Sequence, residues 1–208
     1  MRRAPRLGNL LLATVLVVGC AAPAATFTPN GPCVADGRAA GSYPELELLV
    51  PRALGEDAAV GVDSGRSCTV AALGTYASHG ITELRFAGAT WDEGEGDATA
   101  IAIVTTPGSG PALNTTWVEE FYTAGALNGK HTENTKTSRP TMTGVGAVFR
   151  LETLNDLSQQ TVVIWPGGSV VHVVIVATRV TPDASLTEHE RRVAVAVEAA
   201  AAVVLSPE

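Results

Sequence analysis

Apolar residues recur along the chain with two different periods. Period-two runs mark strands. Thr82–Trp91 carries Leu84, Phe86 and Ala89, and Thr99–Thr105 sets Ala100, Ala102 and Val104 against Ile101 and Ile103. The acidic stretch Asp92-Glu93-Gly94-Glu95-Gly96-Asp97 between them predicts a β-hairpin. Gly144–Glu152, Thr161–Trp165 and Ser169–Thr178 read as further strands, and Pro166-Gly167-Gly168 turns the chain between the last two. Lys130–Pro140 is polar and suits an edge strand. The run from Val170 to Ala177, interrupted only by His172, does not alternate, which predicts a strand covered on both faces.

The helical period appears three times. Ser67–His79 places Cys68, Ala71, Ala72 and Tyr76 on one face, with Gly80 suited to a left-handed cap. Residues 111–127 start at Pro111, align Leu113, Trp117, Phe121 and Ala124, and end at Gly129. The last helix starts near Pro182 or Ser185, where Ser185-Leu186-Thr187-Glu188 fits a capping box, and puts Leu186, Val193, Val197, Ala200 and Val204 on one side. Nearer the start, Leu46, Leu48 and Leu49 suggest a turn of helix stopped by Pro51, and Ala58–Val62 a short strand. Asp63-Ser64-Gly65 reads as a turn. The order of elements predicts an α+β domain: a largely antiparallel sheet with helices packed on both faces, an α/β/α sandwich.

The first twenty residues follow another logic. Arg2, Arg3 and Arg6 precede an apolar run from Leu10 to Val18, and Val17-Val18-Gly19-Cys20 leads into Ala21-Ala22-Pro23. This is the pattern of a secretory signal with a processing site. It resembles the lipobox of bacterial lipoproteins, with Val17 where leucine is commoner. The resemblance implies that Cys20 is lipidated, palmitate included, and becomes the mature N-terminus. It also implies a cell-envelope protein anchored at the outer face of the cytoplasmic membrane, or at the outer membrane. The expected organisation is a signal peptide at 1–19, a lipidated end and flexible tether at 20–32, and one globular domain at 33–208. A twelve-residue tether rich in proline and alanine reaches at most roughly 40 Å.

Composition narrows the partners. Hydrophobic residues make up 46% and charged residues 17% of the chain, which indicates a folded core. Without residues 1–19 the chain holds 11 basic against 21 acidic residues, a formal charge of −10. That balance disfavours nucleic acid and anionic headgroups. The longest later apolar stretch, Val193–Leu205, contains Glu198 and is shorter than the roughly 20 residues a membrane span needs. Cys33 and Cys68 remain for one disulfide closing a 36-residue loop, with two free buried thiols as the alternative.

Residues that could carry chemistry are few. Glu93, Glu95 and Asp97 alternate with glycine and form a candidate calcium loop, against the plainer reading of a solvated hairpin tip. Ser64 follows an aspartate and precedes a glycine, as a protease nucleophile does, but no histidine precedes it. A nucleophile elbow, a phosphate loop and a dinucleotide fingerprint are all missing from the sequence. Of the four histidines, His79, His131, His172 and His189, only His172 falls in a core strand, where a neutral imidazole bonded to backbone or a helix end is expected, with a ligand or base as the alternative. His189, between two glutamates, reads as exposed. Trp117, Phe121, Tyr122 and Trp165 pack a core or line a hydrophobic pocket, and Asn114-Thr115-Thr116 matches a glycosylation acceptor.

Tyr43-Pro44-Glu45-Leu46, Leu49-Val50-Pro51 and Gly80-Ile81-Thr82-Glu83-Leu84-Arg85-Phe86-Ala87 resemble segments of uncharacterised secreted bacterial proteins. By architecture alone, the element order is similar to the α/β/α sandwich of the Mog1/PsbP-like and mycobacterial LpqN-type lipoproteins. Neither resemblance implies a catalytic residue, and fold likeness does not license function. The first expectation is therefore a non-catalytic, lipid-anchored extracytoplasmic domain, without cofactor, that binds an envelope partner. The second is a carrier of a lipid or apolar small molecule, which requires a cavity on the order of several hundred Å³ beside the 161–178 hairpin. The third is a hydrolase in which two of His131, Glu152, Asp156 and His172 converge.

Overall fold

The computed structural model describes residues 26–94, 96–108, 110–129, 132–155, 158–180 and 186–204. The signal segment 1–19, Cys20, Glu95, His131, Asp156 and the capping-box serine Ser185 lie outside them, as does the side chain of Val204.

The N-terminal third contains β1 (Gly37–Ala39), α1 (Pro44–Glu47), a small hairpin of β2 (Ala53–Leu54) and β3 (Asp57–Ala58), β4 (Gly61–Ser67) and α2 (Val70–Leu73). A 3-10 turn at Gly74–His79 follows, then β5 (Leu84–Gly94), β6 (Asp97–Thr105) and α3 (Thr115–Leu127). The rest comprises β7 (Thr132–Ser138), the short pair β8 (Thr141–Met142) and β9 (Gly146–Ala147), β10 (Phe149–Asn155), β11 (Ser158–Gly167), β12 (Val170–Arg179) and α4 (Leu186–Val204). Eight strands form one sheet in the order β1-β4-β5-β6-β12-β11-β10-β7, with every pairing antiparallel. The fold is mixed α+β around this sheet.

Both expected hairpins form. Gly94 pairs with Asp97 at the tip of β5–β6, and Gly167 with Val170 at β11–β12, where Gly168 takes the left-handed conformation that the turn needs (φ 68°). β12 lies between β6 and β11, so its side chains are divided between two apolar clusters. Val174 and Val176 join Trp91, Ile101 and Val163 with Val193, Ala196, Val197 and Ala200 of α4. Val171 and Val173 join Leu151, Val162 and Ile164 with Leu73, Tyr76 and Val118. Burial on alternate sides explains the unbroken valine run.

Several expectations are corrected. Asp63-Ser64-Gly65 is not a turn but the middle of β4. Gly65 is needed there because a Cβ would sit 2.2 Å from the Gly37 carbonyl on β1. The helix expected over 67–79 begins only at Val70, with Thr69 as its cap, and tightens into the 3-10 turn at Gly74 (φ 52°). Its buried residues are Leu73 and Tyr76, while Ala71 is exposed. Helix α3 starts at Thr115, four residues after Pro111, because the Asn114 side chain accepts from Thr116 N (2.9 Å). That contact gives the Asn-Thr-Thr match a capping role. Leu186 opens α4 but is 68% exposed, not part of its buried side.

The last seven residues of the expected tether are also folded. The Phe27 ring lies where a Cβ on Gly37 would be, 2.3 Å from that position. Arg66, only 1% exposed, donates through Nη1 to the Gly31 carbonyl (2.8 Å) and through Nη2 to the Pro32 carbonyl (2.7 Å). Tyr43 Oη donates to the Pro29 carbonyl (3.0 Å). The Cys33–Cys68 disulfide forms beside this latch, with 5.4 Å between Cα atoms. Asp36 reinforces it by accepting from the amides of Cys68 (2.6 Å) and Thr69 (2.9 Å).

Candidate functional site

Helix α3 is held at several points. Tyr76 stacks on Phe121 (centroids 4.8 Å apart) and His79 on Trp117 (4.8 Å), while Glu119 takes both ends of the Arg139 guanidinium (2.8 and 2.6 Å). Its C-terminus is closed by Asn128 Nδ2 donating to the Ala124 carbonyl (2.8 Å) and by Thr132 Oγ1 donating to that of Ala126 (3.1 Å). The face turned to the sheet runs through Val118 and Tyr122, one step round from the stripe that sequence spacing suggested. Beyond Tyr122 the helix residues that border the sheet-side gap are Ala124, Gly125 and Ala126. These small residues cannot span the gap to the strands.

The result is a cleft of about 620 Å³. Its floor is a row of three side chains in register across β10, β11 and β12: Leu151, Val162 and Ile175. Phe121, Tyr122 and Ala126 form the helix wall. The next register row toward the mouth is polar, with Thr153 opposite Gln160. No lining residue among those described is charged. Thr75 Oγ1 is buried beside the cleft without a partner among the described residues, and burial pushes the Tyr122 phenol up to about 12. Among the described residues the site is apolar inside, neutral and hydrogen-bonding at the rim, and places no nucleophile beside a base.

Phe121 and Tyr122 thus belong to a pocket, as one reading of the aromatic residues suggested. Trp165 is elsewhere, stacked on His172 (5.1 Å, interplanar angle 6°). The sequence signal that marks the cleft is the Ala-Gly-Ala tail of an otherwise bulky helix.

The acidic turn already holds a cation. Arg192 of α4 contacts Glu93 and Asp97 (2.9 Å to the latter), and its Nε reaches Glu188 (3.0 Å). Asp97 also accepts from Arg179 N (2.7 Å) and Glu93 from Thr99 Oγ1 (2.9 Å). A guanidinium therefore lies against two of the three carboxylates of the candidate calcium loop, the third, Glu95, being outside the described residues. No group of three or more metal-binding side chains occurs among the described residues.

The histidines differ from expectation in opposite ways. His189 is buried (1% exposed), with Nε2 bonded to Thr161 Oγ1 (2.8 Å) and Nδ1 to Thr178 Oγ1 (2.9 Å). Burial lowers its pKa. His172 is buried but neither ring nitrogen has a partner among the described residues, so the expected bond to backbone or a helix end is missing. Desolvation brings it down to about 4. The Ser64 hydroxyl is engaged structurally, donating to Glu47 Oε1 (2.7 Å) and accepting from Tyr43 N (2.7 Å). Among the hydrolase candidates, His172 and Glu152 are the described pair. Their β11 partners, Trp165 and Thr161, are four residues apart, which separates them by about 13 Å along the strands in addition to two inter-strand spacings across the sheet.

No helix among the described residues is long and apolar enough to cross a membrane. Comparisons with known protein families, curated proteins and solved structures find no match.

Proposed function

We propose that the chain is a non-catalytic, lipid-anchored extracytoplasmic domain that carries a neutral apolar small molecule or acyl chain in the cleft between α3 and the sheet. The observation behind this is the cleft itself: about 620 Å³, within the usual range for ligand sites, on an apolar three-strand floor with an uncharged polar rim. An envelope protein as partner ranks first on the sequence because reactive motifs are missing. The cleft is a positive feature and favours the carrier instead. The anchor is Cys20, through its resemblance to a lipobox, and the expected location is the outer face of the cytoplasmic membrane. In the same reading the sheet is the filling of an α/β/α sandwich, with α4 on one face and α3 with the 74–79 turn on the other. The two separate apolar clusters support that arrangement.

Native mass spectrometry of the chain, extracted from its own membrane in a neutral detergent, tests the reading. One uncharged apolar molecule per chain is the expected result. A bare chain from repeated gentle preparations would sink the carrier function.

A further inference from the structure

We infer that the domain lies with its β1–β4 edge and the Cys33–Cys68 bridge against the bilayer. This rests on the lipid-anchor reading of Cys20. Three observations carry it. First, the leash is short. Phe27 is seated on Gly37, and the carbonyls of Pro29, Gly31 and Pro32 are held by Tyr43 and the buried Arg66, so the folded body starts by Thr26. Six Cα steps from Cys20 to Thr26 span at most about 22 Å. A lipid inserted at Cys20 therefore draws this edge of the domain to the headgroups, and no other part of the molecule is closer to the anchor along the chain.

Second, the same edge presents apolar side chains. Val34 (60% exposed) follows Cys33, and Val70 (76% exposed) lies two residues after Cys68. The disulfide brings the two segments together. Asp36, the carboxylate between them, has both oxygens engaged by Cys68 and Thr69 (Oδ2 to Thr69 Oγ1, 2.5 Å). The surface that meets the bilayer is therefore apolar at its tips, and both its acids are satisfied from within the protein, Asp36 by Cys68 and Thr69 and Asp63 by the exposed Arg38 of β1 (3.3 Å).

Third, the sheet order sets the opposite edge of the domain well away from the anchor. β1 is one edge strand, and β10, which supplies Leu151 to the cleft floor, is the seventh of the eight strands. Six inter-strand steps of about 4.8 Å put the Leu151 end of the cleft floor about 29 Å away across the sheet, while the Gly74–Thr75 end of the cleft lies one helical turn from Val70.

The test is energy transfer from the acylated full chain to acceptor-labelled headgroups in phosphatidylcholine vesicles, with a clickable donor dye at position 70 or position 136. Lys136 is exposed on the far edge strand β7. The strand spacing between the two sites predicts transfer at least about twofold higher from position 70. A glycine-serine insert between Ala25 and Thr26 that doubles the leash is expected to erase most of the difference. Equal or reversed transfer from an acylated chain overturns the orientation and leaves the anchor reading standing. A chain whose intact mass lacks acyl groups, and which does not bind vesicles, overturns the anchor and this orientation with it.

Discussion

Buried polar residues are the least legible feature of this sequence, and His172 shows the energetic consequence. Its ring is stacked on Trp165 with neither nitrogen partnered among the described residues, and burial keeps it neutral with a pKa of about 4. The unfolded chain titrates near 6.5. Between those values the unfolded state binds a proton that the folded state refuses, so stability falls as pH drops through the window, by up to about 3 kcal/mol. His189, also held low by burial, adds to the same slope. His172→Phe keeps the stack and is expected to flatten the slope without making it level, with stability at pH 7 unchanged or higher. Urea unfolding at pH 7 and 4.5 measures both. A slope identical to wild type would mean that His172 is not the source.

Ser64 works in the opposite direction. It bridges the buried Glu47 carboxylate and the Tyr43 amide. Ser64→Ala leaves that amide without its acceptor and removes one donor from the carboxylate, at a cost of about 1–3 kcal/mol in the same unfolding assay. None of this is readable in advance. Asp-Ser-Gly has the composition of a turn, and His189 between two glutamates has the composition of a surface. Their partners, Glu47 for Ser64 and the two threonines for His189, come from segments distant in sequence, so local composition points the wrong way.

At the scale of elements, period-two patterning is a reliable guide wherever a hairpin supplies its own turn. The β5–β6 and β11–β12 pairs follow from alternation plus glycine. Helix starts are less legible because a single side chain decides them: Asn114 caps α3 four residues after the proline that seemed to open it. The cleft is half visible. Phe121 and Tyr122 stand out, but the space beside them depends on the floor lying one helix-width away from Ala124, Gly125 and Ala126. Another such contact is Arg192, which links α4 to the tip of β5–β6 through Glu93 and Asp97. Arg192→Met is expected to cost about 1–3 kcal/mol, since these partly buried carboxylates lose their cation. Faster amide exchange confined first to residues 92–98 is the diagnostic readout. Uniform acceleration across the sheet would contradict the local clasp.

At the scale of the whole molecule, the N-terminal third is held to the sheet by the disulfide and the Arg66 latch. The 36-residue loop gives a chain-entropy contribution of about 4 kcal/mol. For a domain of this size, reduction is expected to lower the melting temperature by roughly 8–16 °C. Calorimetry with and without reductant checks this; an unchanged midpoint would show that the latch alone holds the segment. The cleft keeps its shape through α3 and its neighbours and is expected to bind its ligand in either redox state.

The carrier function depends on open space beside Gly125, and filling that space separates ligand binding from folding. A Cβ at Gly125 meets nothing within 4 Å, and the residue lies mid-helix without a positive φ. Gly125→Leu therefore gains helix propensity, about 0.5–1 kcal/mol, while its side chain enters the cleft. Titration of wild type and this variant with the neutral apolar fluorophore N-phenyl-1-naphthylamine is the direct measurement. Saturable one-to-one binding to wild type, at least about tenfold weaker in a variant that melts no lower, is the predicted result. No binding by wild type, or equal binding by both, would contradict the account.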